Sequence, residues 1–116
     1  MKKTQLSKGE NRRLMYVENK HGDIDGAAAR IGWVTFSKSG MAVHYRNRLL
    51  SRLKGGGISG NYFDQETGEE YWVSGVKTSG SNSHHGQHLV LVIDEDAKAA
   101  YEELRNPAKP IDPGKS

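Results

Sequence analysis

The chain has 116 residues and no cysteine, carries a formal charge of +3, and is 34% hydrophobic with a mean hydropathy of -0.76. That length holds one modest core and not two, and the missing cysteines exclude a disulfide framework, thiolate zinc sites and a cysteine nucleophile. Lys2 and Lys3 are followed by no apolar run of signal-peptide type, and no segment approaches the ~18 apolar residues of a membrane span, so the expectation is a soluble cytoplasmic protein.

Residues 1–13 are basic, polar and without periodicity, and read as a flexible arm before a single β-rich domain over residues 14–105. Residues 14–18 suit a first strand. Residues 19–26 (N-K-H-G-D-I-D-G) are turn chemistry, because Gly22 and Gly26 accept positive φ and Asp23 and Asp25 cap locally. The spacing is not that of a calcium loop, which needs regularly placed acids and a distal glutamate. Residues 30–37 (R-I-G-W-V-T-F-S) are rich in strand formers, Lys38-Ser39-Gly40 makes a hairpin turn, and residues 41–46 return. Residues 48–54 (R-L-L-S-R-L-K) leave two readings open. Leu49, Leu50 and Leu53 fit one face of a helix with Gly55 as its left-handed cap, and they also fit a further strand of the meander.

Residues 61–64 and 69–74 form a second hairpin about the turn Q-E-T-G. Residues 78–88 are a polar loop, and residues 89–93 are a continuous apolar run of the kind found in strands buried on both faces. Asp94 is placed to cap a helix over residues 95–105, with Glu95 and Asp96 favouring its dipole and Ala97, Ala100, Tyr101 and Leu104 recurring at helical spacing. Residues 106–116 read as a disordered tail. Five or six short strands with tight turns and one amphipathic helix predict a small α+β protein, mainly antiparallel β, as an SH3-like barrel or strongly bent sheet.

The runs R-I-G-W-V-T-F-S-K-S-G, L-K-G-G-G, N-Y-F-D, E-T-G-E-E-Y-W-V-S-G and V-I-D-E-D, spanning residues 30–104, resemble a group of small uncharacterised bacterial proteins. Such proteins are often labelled 1-deoxy-D-xylulose-5-phosphate synthase. The thiamine-binding G-D-G motif of that large enzyme is absent here, since Gly22-Asp23-Ile24 lacks the second glycine. The resemblance implies a fold and a bacterial source rather than that activity.

The glycine run K-G-G-G-I-S-G-N-Y at residues 54–62 satisfies G-x-G-x-x-G through Gly55, Gly57 and Gly60. A dinucleotide turn must open a helix on its last glycine, whereas strand-like N-Y-F-D follows here, so a structural turn is expected. From Lys38 to Lys54 there are five basic residues and no acid, and aromatic residues follow. Arg46, Arg48, Arg52 and Lys54 beside Tyr62 and Trp72 form the candidate binding surface, because cations track phosphates while flat rings stack on bases. Tyr71 and Trp72 must point to opposite faces, one covered and one shown. His84, His85 and His88 lie in a Ser/Gly/Asn loop that holds no rigid ligand set, and Asp64, Glu66, Glu69 and Glu70 crowd a hairpin tip. No catalytic, cofactor or metal site is assigned. The leading expectation is a non-enzymatic binding module for an anionic partner such as RNA or single-stranded DNA. The alternatives are a protein-binding module (an immunity factor, inhibitor or assembly subunit) and a small nuclease or hydrolase using His44.

Overall fold

The computed structural model describes residues 11–54, 60–78 and 90–106. Six strands follow in chain order: β1 (Asn11–Asn19), β2 (Ala29–Phe36), β3 (Ala42–Tyr45), β4 (Arg48–Arg52), β5 (Tyr62–Asp64) and β6 (Glu70–Gly75). Each pairs antiparallel with the next, and β6 returns to pair with β1, which closes the sheet into a barrel. Closure removes the free edges that an open antiparallel sheet would present. The expected small α+β barrel is therefore observed. A seventh strand, β7 (Leu91–Ile93), lies parallel to the start of β2, and a 3-10 turn at Glu95–Ala97 leads into helix α1 (Lys98–Arg105). Among the described residues no helix is long and apolar enough to cross a membrane.

Strand alternation divides the side chains into two clusters. The inner one fills the barrel with Val17, Ile24, Val34, Val43, Leu50 and Val73 together with Tyr45, Tyr62 and Tyr71. Each fully buried aliphatic side chain contributes about 1.5–3 kcal/mol. The tyrosines suit a narrow barrel because their rings fill it while their hydroxyls reach its ends. Tyr62 donates to the Gly40 carbonyl at one end, and Tyr45 donates to Asp94 near the other. The outer cluster lies on the opposite face of β1, β2 and β6, where Tyr16, Ala29 and Ile31 are covered by Trp72, Leu91, Ile93 and Tyr101. Tyr71 is thus the covered ring of its pair, and Trp72 is only half-buried on the outside.

Several expectations change. Residues 48–54 contain a strand, not a helix: Leu50 enters the core while Leu49 faces out, and pairing to both β3 and β5 decides the matter. The sheet starts at Asn11, so Arg12 and Arg13 belong to β1 and not to the arm. The apolar run before Asp94 is not buried on both faces. β7 is half-buried along its length and Val90 is 62% exposed, because this strand lies outside the barrel where β3 diverges from β2. Asp94 makes no side-chain cap to the turn that follows it. Its carboxylate is used elsewhere, as described below.

The β3–β4 connection is a two-residue turn, with Arg46 at φ 47° and Asn47 at φ 68°. Positive φ at both central residues gives the turn a twist that matches the flanking strands. A second tight turn occurs at Asp25-Gly26, where Ile24 and Ala27 pair across it. Gly60 leads directly into β5, and a side chain there would collide with the Tyr71 backbone. The last glycine of the G-x-G-x-x-G run thus serves strand packing. Residues 55–59 lie outside the described set.

Candidate anion-binding mouth

A six-stranded meander gives the barrel two ends, and inward-facing positions at each end are occupied by arginine. Register pairs Arg13 with core Val34, and Arg52 with buried Tyr62, so both arginines point into the end where β1 and β5 start. At the other end Arg30 pairs with core Val17, and Arg48 with Tyr45. The two ends differ in what neutralises these charges.

At the second end, Asp25 and Asp94 answer the cations. Arg48 reaches both oxygens of Asp25, at 3.0 and 3.3 Å, and Arg46 Nε donates to the same carboxylate at 2.7 Å. The hydrogen bonds from Arg48, and then those from Arg46, hold the Asp25 carboxyl well below the usual carboxylate range. The same bonds push both guanidinium groups upward. Asp94 is 5% exposed and accepts from Arg30 at 2.9 Å and from the Tyr45 hydroxyl at 2.6 Å, with Arg46 at 3.4 Å. Burial first, and the bond to Asp94 second, raise the Tyr45 phenol above its ordinary value. Arg30 also donates to the Ile24 and Asp25 carbonyls. Three guanidinium groups and two carboxylates thus clasp the two positive-φ turns together. This is a lock on the fold.

The first end has no such answer. Arg13, Lys38 and Arg52 line a cleft of about 290 Å³, floored by Phe36 and Tyr62 and walled by the Ser37–Gly40 turn. Among the described residues its lining contains no carboxylate, and none of these three cations forms an ion pair with an acid. Arg52 lies over the Tyr62 ring, 5.7 Å from its centre. The hydroxyls of Ser37 and Ser39 accept from the backbone of Ala42 and Met41 and so shape the turn.

The six residues that the sequence nominates are therefore dispersed. Arg46 and Arg48 belong to the clasp, where Asp25 occupies them. Arg52 lies at the opposite end, and Lys54 follows it two residues beyond β4. Tyr62 is only 4% exposed, so its ring is a floor under Arg52 and not a free stacking surface. Trp72 is on the outer face of β6 against the second cluster. The sequence pattern alone misses Arg13, which it places in the arm, and the return of Lys38 to the same end. The available signal is strand parity: Arg13, Met15 and Val17 share one face, as do Arg52 and Leu50.

Among the described residues no group of histidines and acids is placed to hold a metal ion. His84, His85 and His88 lie outside the described set. His44 is exposed on the outer face of β3, and among the described residues no carboxylate lines the groove beside it. At the second hairpin, Asp64 accepts from the Glu66 and Thr67 backbone and shapes the turn, which accounts for that acid structurally. Comparison of the chain with family models, curated protein sequences and solved structures returns no match.

Proposed function

We propose that this protein is a non-enzymatic binding module whose barrel mouth, built from Arg13, Lys38 and Arg52, grips the phosphates of RNA or single-stranded DNA. The observation that carries this reading is the contrast between the two ends. Inward arginines at one end are matched by Asp25 and Asp94, whereas those at the other end face a cleft with no acid among its described lining residues. Cations held at a concave, partly apolar opening focus potential outward and favour an anionic partner. Guanidinium groups suit phosphate because their planar donors match its oxygens in pairs.

The cleft volume of about 290 Å³ is far below that of a duplex but large enough for a single phosphate group of a flexible strand, which supports a single-stranded partner. Exposed Lys54 at the same end extends the positive surface along such a strand. Titration of the full chain with labelled single-stranded oligonucleotides at low and high salt tests the reading. Binding that weakens steeply as salt rises is expected, through release of condensed counterions. Absence of binding at low salt would overturn it.

A further inference from the structure

The mouth accounts for phosphate contact but offers no open ring, because Tyr62 is buried beneath Arg52. The outer face of the barrel carries a half-buried indole, Trp33, capped by an exposed arginine, and an exposed imidazole, His44. Arg12 and Arg13 are consecutive in β1, so one turns into the mouth and the other turns out. Arg12 lies over the Trp33 indole, with its guanidinium carbon 4.2 Å from the ring centre. Trp33 is also fixed at its edge by a 3.0 Å hydrogen bond that Nε1 donates to the Asp96 carbonyl.

Register then extends this surface across four strands. Arg12 pairs with Thr35, Thr35 with His44, and His44 with Leu49. The row spans about 14 Å at the ordinary strand spacing. His44 is exposed and Leu49 is 36% exposed, an apolar side chain beside an imidazole on a face open to solvent. A groove of about 440 Å³ runs from Trp33 and Thr35 past His44 to Leu49, is lined at its far end by Tyr45, Arg46 and Arg48 of the clasp, and has no carboxylate among its described lining residues. Asn47 at its end presents an amide that can both donate and accept.

From this arrangement we propose that the outer groove between Trp33 and Leu49 receives the bases of the same single strand whose phosphates enter the mouth. The inference rests on the reading of the mouth as a phosphate site. A base needs a flat polarizable surface and a few polar groups at its edge. The Arg12–Trp33 stack and His44 supply the first, while Thr35 and Asn47 supply the second. Arg12 and Arg13, adjacent at the start of β1, link the mouth to the Trp33 end of the groove, and Arg46 and Arg48 line its other end with their guanidinium groups bonded to Asp25.

The test uses two probes on the full chain: a short labelled oligothymidylate, and the same backbone carrying abasic sites. The base-bearing probe is expected to bind about tenfold more tightly, the effect of stacking roughly one base. His44→Ala and Leu49→Ser are solvent-facing changes, and thermal denaturation verifies that each variant stays folded. Together they are expected to remove the tenfold surplus and to leave binding of the abasic probe unchanged. Equal affinity of the two probes for the unaltered protein, or an equal loss for both in the variants, would overturn the base-binding groove while leaving the phosphate mouth standing. If neither probe binds at low salt, both readings fail.

Discussion

The Tyr45 hydroxyl donates to Asp94 Oδ2 at 2.6 Å directly over the backbone of Gly32. A Cβ added at Gly32 would overlap that carboxylate oxygen and come within 3.0 Å of the tyrosine hydroxyl. The three residues meet where the second edge of β2 passes from β3 to β7, a split in the sheet that leaves space for a side chain to enter. Gly32→Ala is accordingly expected to displace Asp94 and to destabilise the protein by about 1–3 kcal/mol, the range for overpacking a filled site. Chemical denaturation of the variant measures this. A change within a few tenths of zero would mean that Asp94 moves aside freely.

Removing the carboxylate is a harsher change than crowding it. Asp94→Ala leaves the Arg30 guanidinium, whose side chain is only 11% exposed, without its acid, and leaves the Tyr45 hydroxyl unpaired. The expected loss is about 3–5 kcal/mol, typical of breaking a buried ion pair from one side. The paired change of Asp94→Ala with Tyr45→Phe should recover part of it, since the phenol no longer needs a partner. A double-mutant cycle in urea gives the coupling directly.

The barrel itself is legible in the sequence because strand alternation and turn residues agree with it over residues 14–54 and 61–75. The leucines of residues 48–54 leave the helix open because Leu49, Leu50 and Leu53 fit either period. Only pairing of β4 on both sides resolves them. Asp94 departs from expectation for a related reason: a carboxylate before a helix is favourable as a cap, yet a buried cation nearby competes for it more strongly. The proposed binding surface is the least legible part. Contiguity in sequence gathers Arg46, Arg48, Arg52 and Lys54, but one strand of five residues carries them from one end of the barrel to the other. Bringing Arg13 beside Arg52 requires closure of the barrel through the β1–β6 pairing, which no local pattern encodes.

Asp25 makes the clasp sensitive to acid. Its folded carboxyl lies below its unfolded value, so the stability it contributes is fully present above about pH 4 and falls away as acid titrates the folded group. The side chain is 43% exposed, and solvent screening limits the contribution to about 1 kcal/mol or less. Asp25→Asn is therefore expected to lower stability modestly at neutral pH, with the gap to the unaltered protein closing as pH drops below about 4. Thermal melts of both proteins across that range check it; a gap that persists unchanged at low pH would mean that the loss does not come from the Asp25 charge.

The contrast between the two ends yields a prediction about location that total charge cannot imitate. Arg13→Ala with Arg52→Ala, and Arg46→Ala with Arg48→Ala, each remove the same number of positive charges. In the first pair the deleted cations face a cleft with no acid among its described lining residues, so oligonucleotide binding should weaken and its logarithmic dependence on salt should flatten by about one unit for each phosphate no longer neutralised. The second pair lines the outer groove, but Asp25 already neutralises it and the groove is assigned to bases, so stability should fall while the salt slope stays near that of the unaltered protein. Asp25 then adds unpaired negative charge beside the groove, which lowers affinity through the screened field. Fluorescence titrations at several salt concentrations separate the two cases. Equal slopes for both double variants would mean that phosphate is gripped by the net field of the chain and not at the mouth.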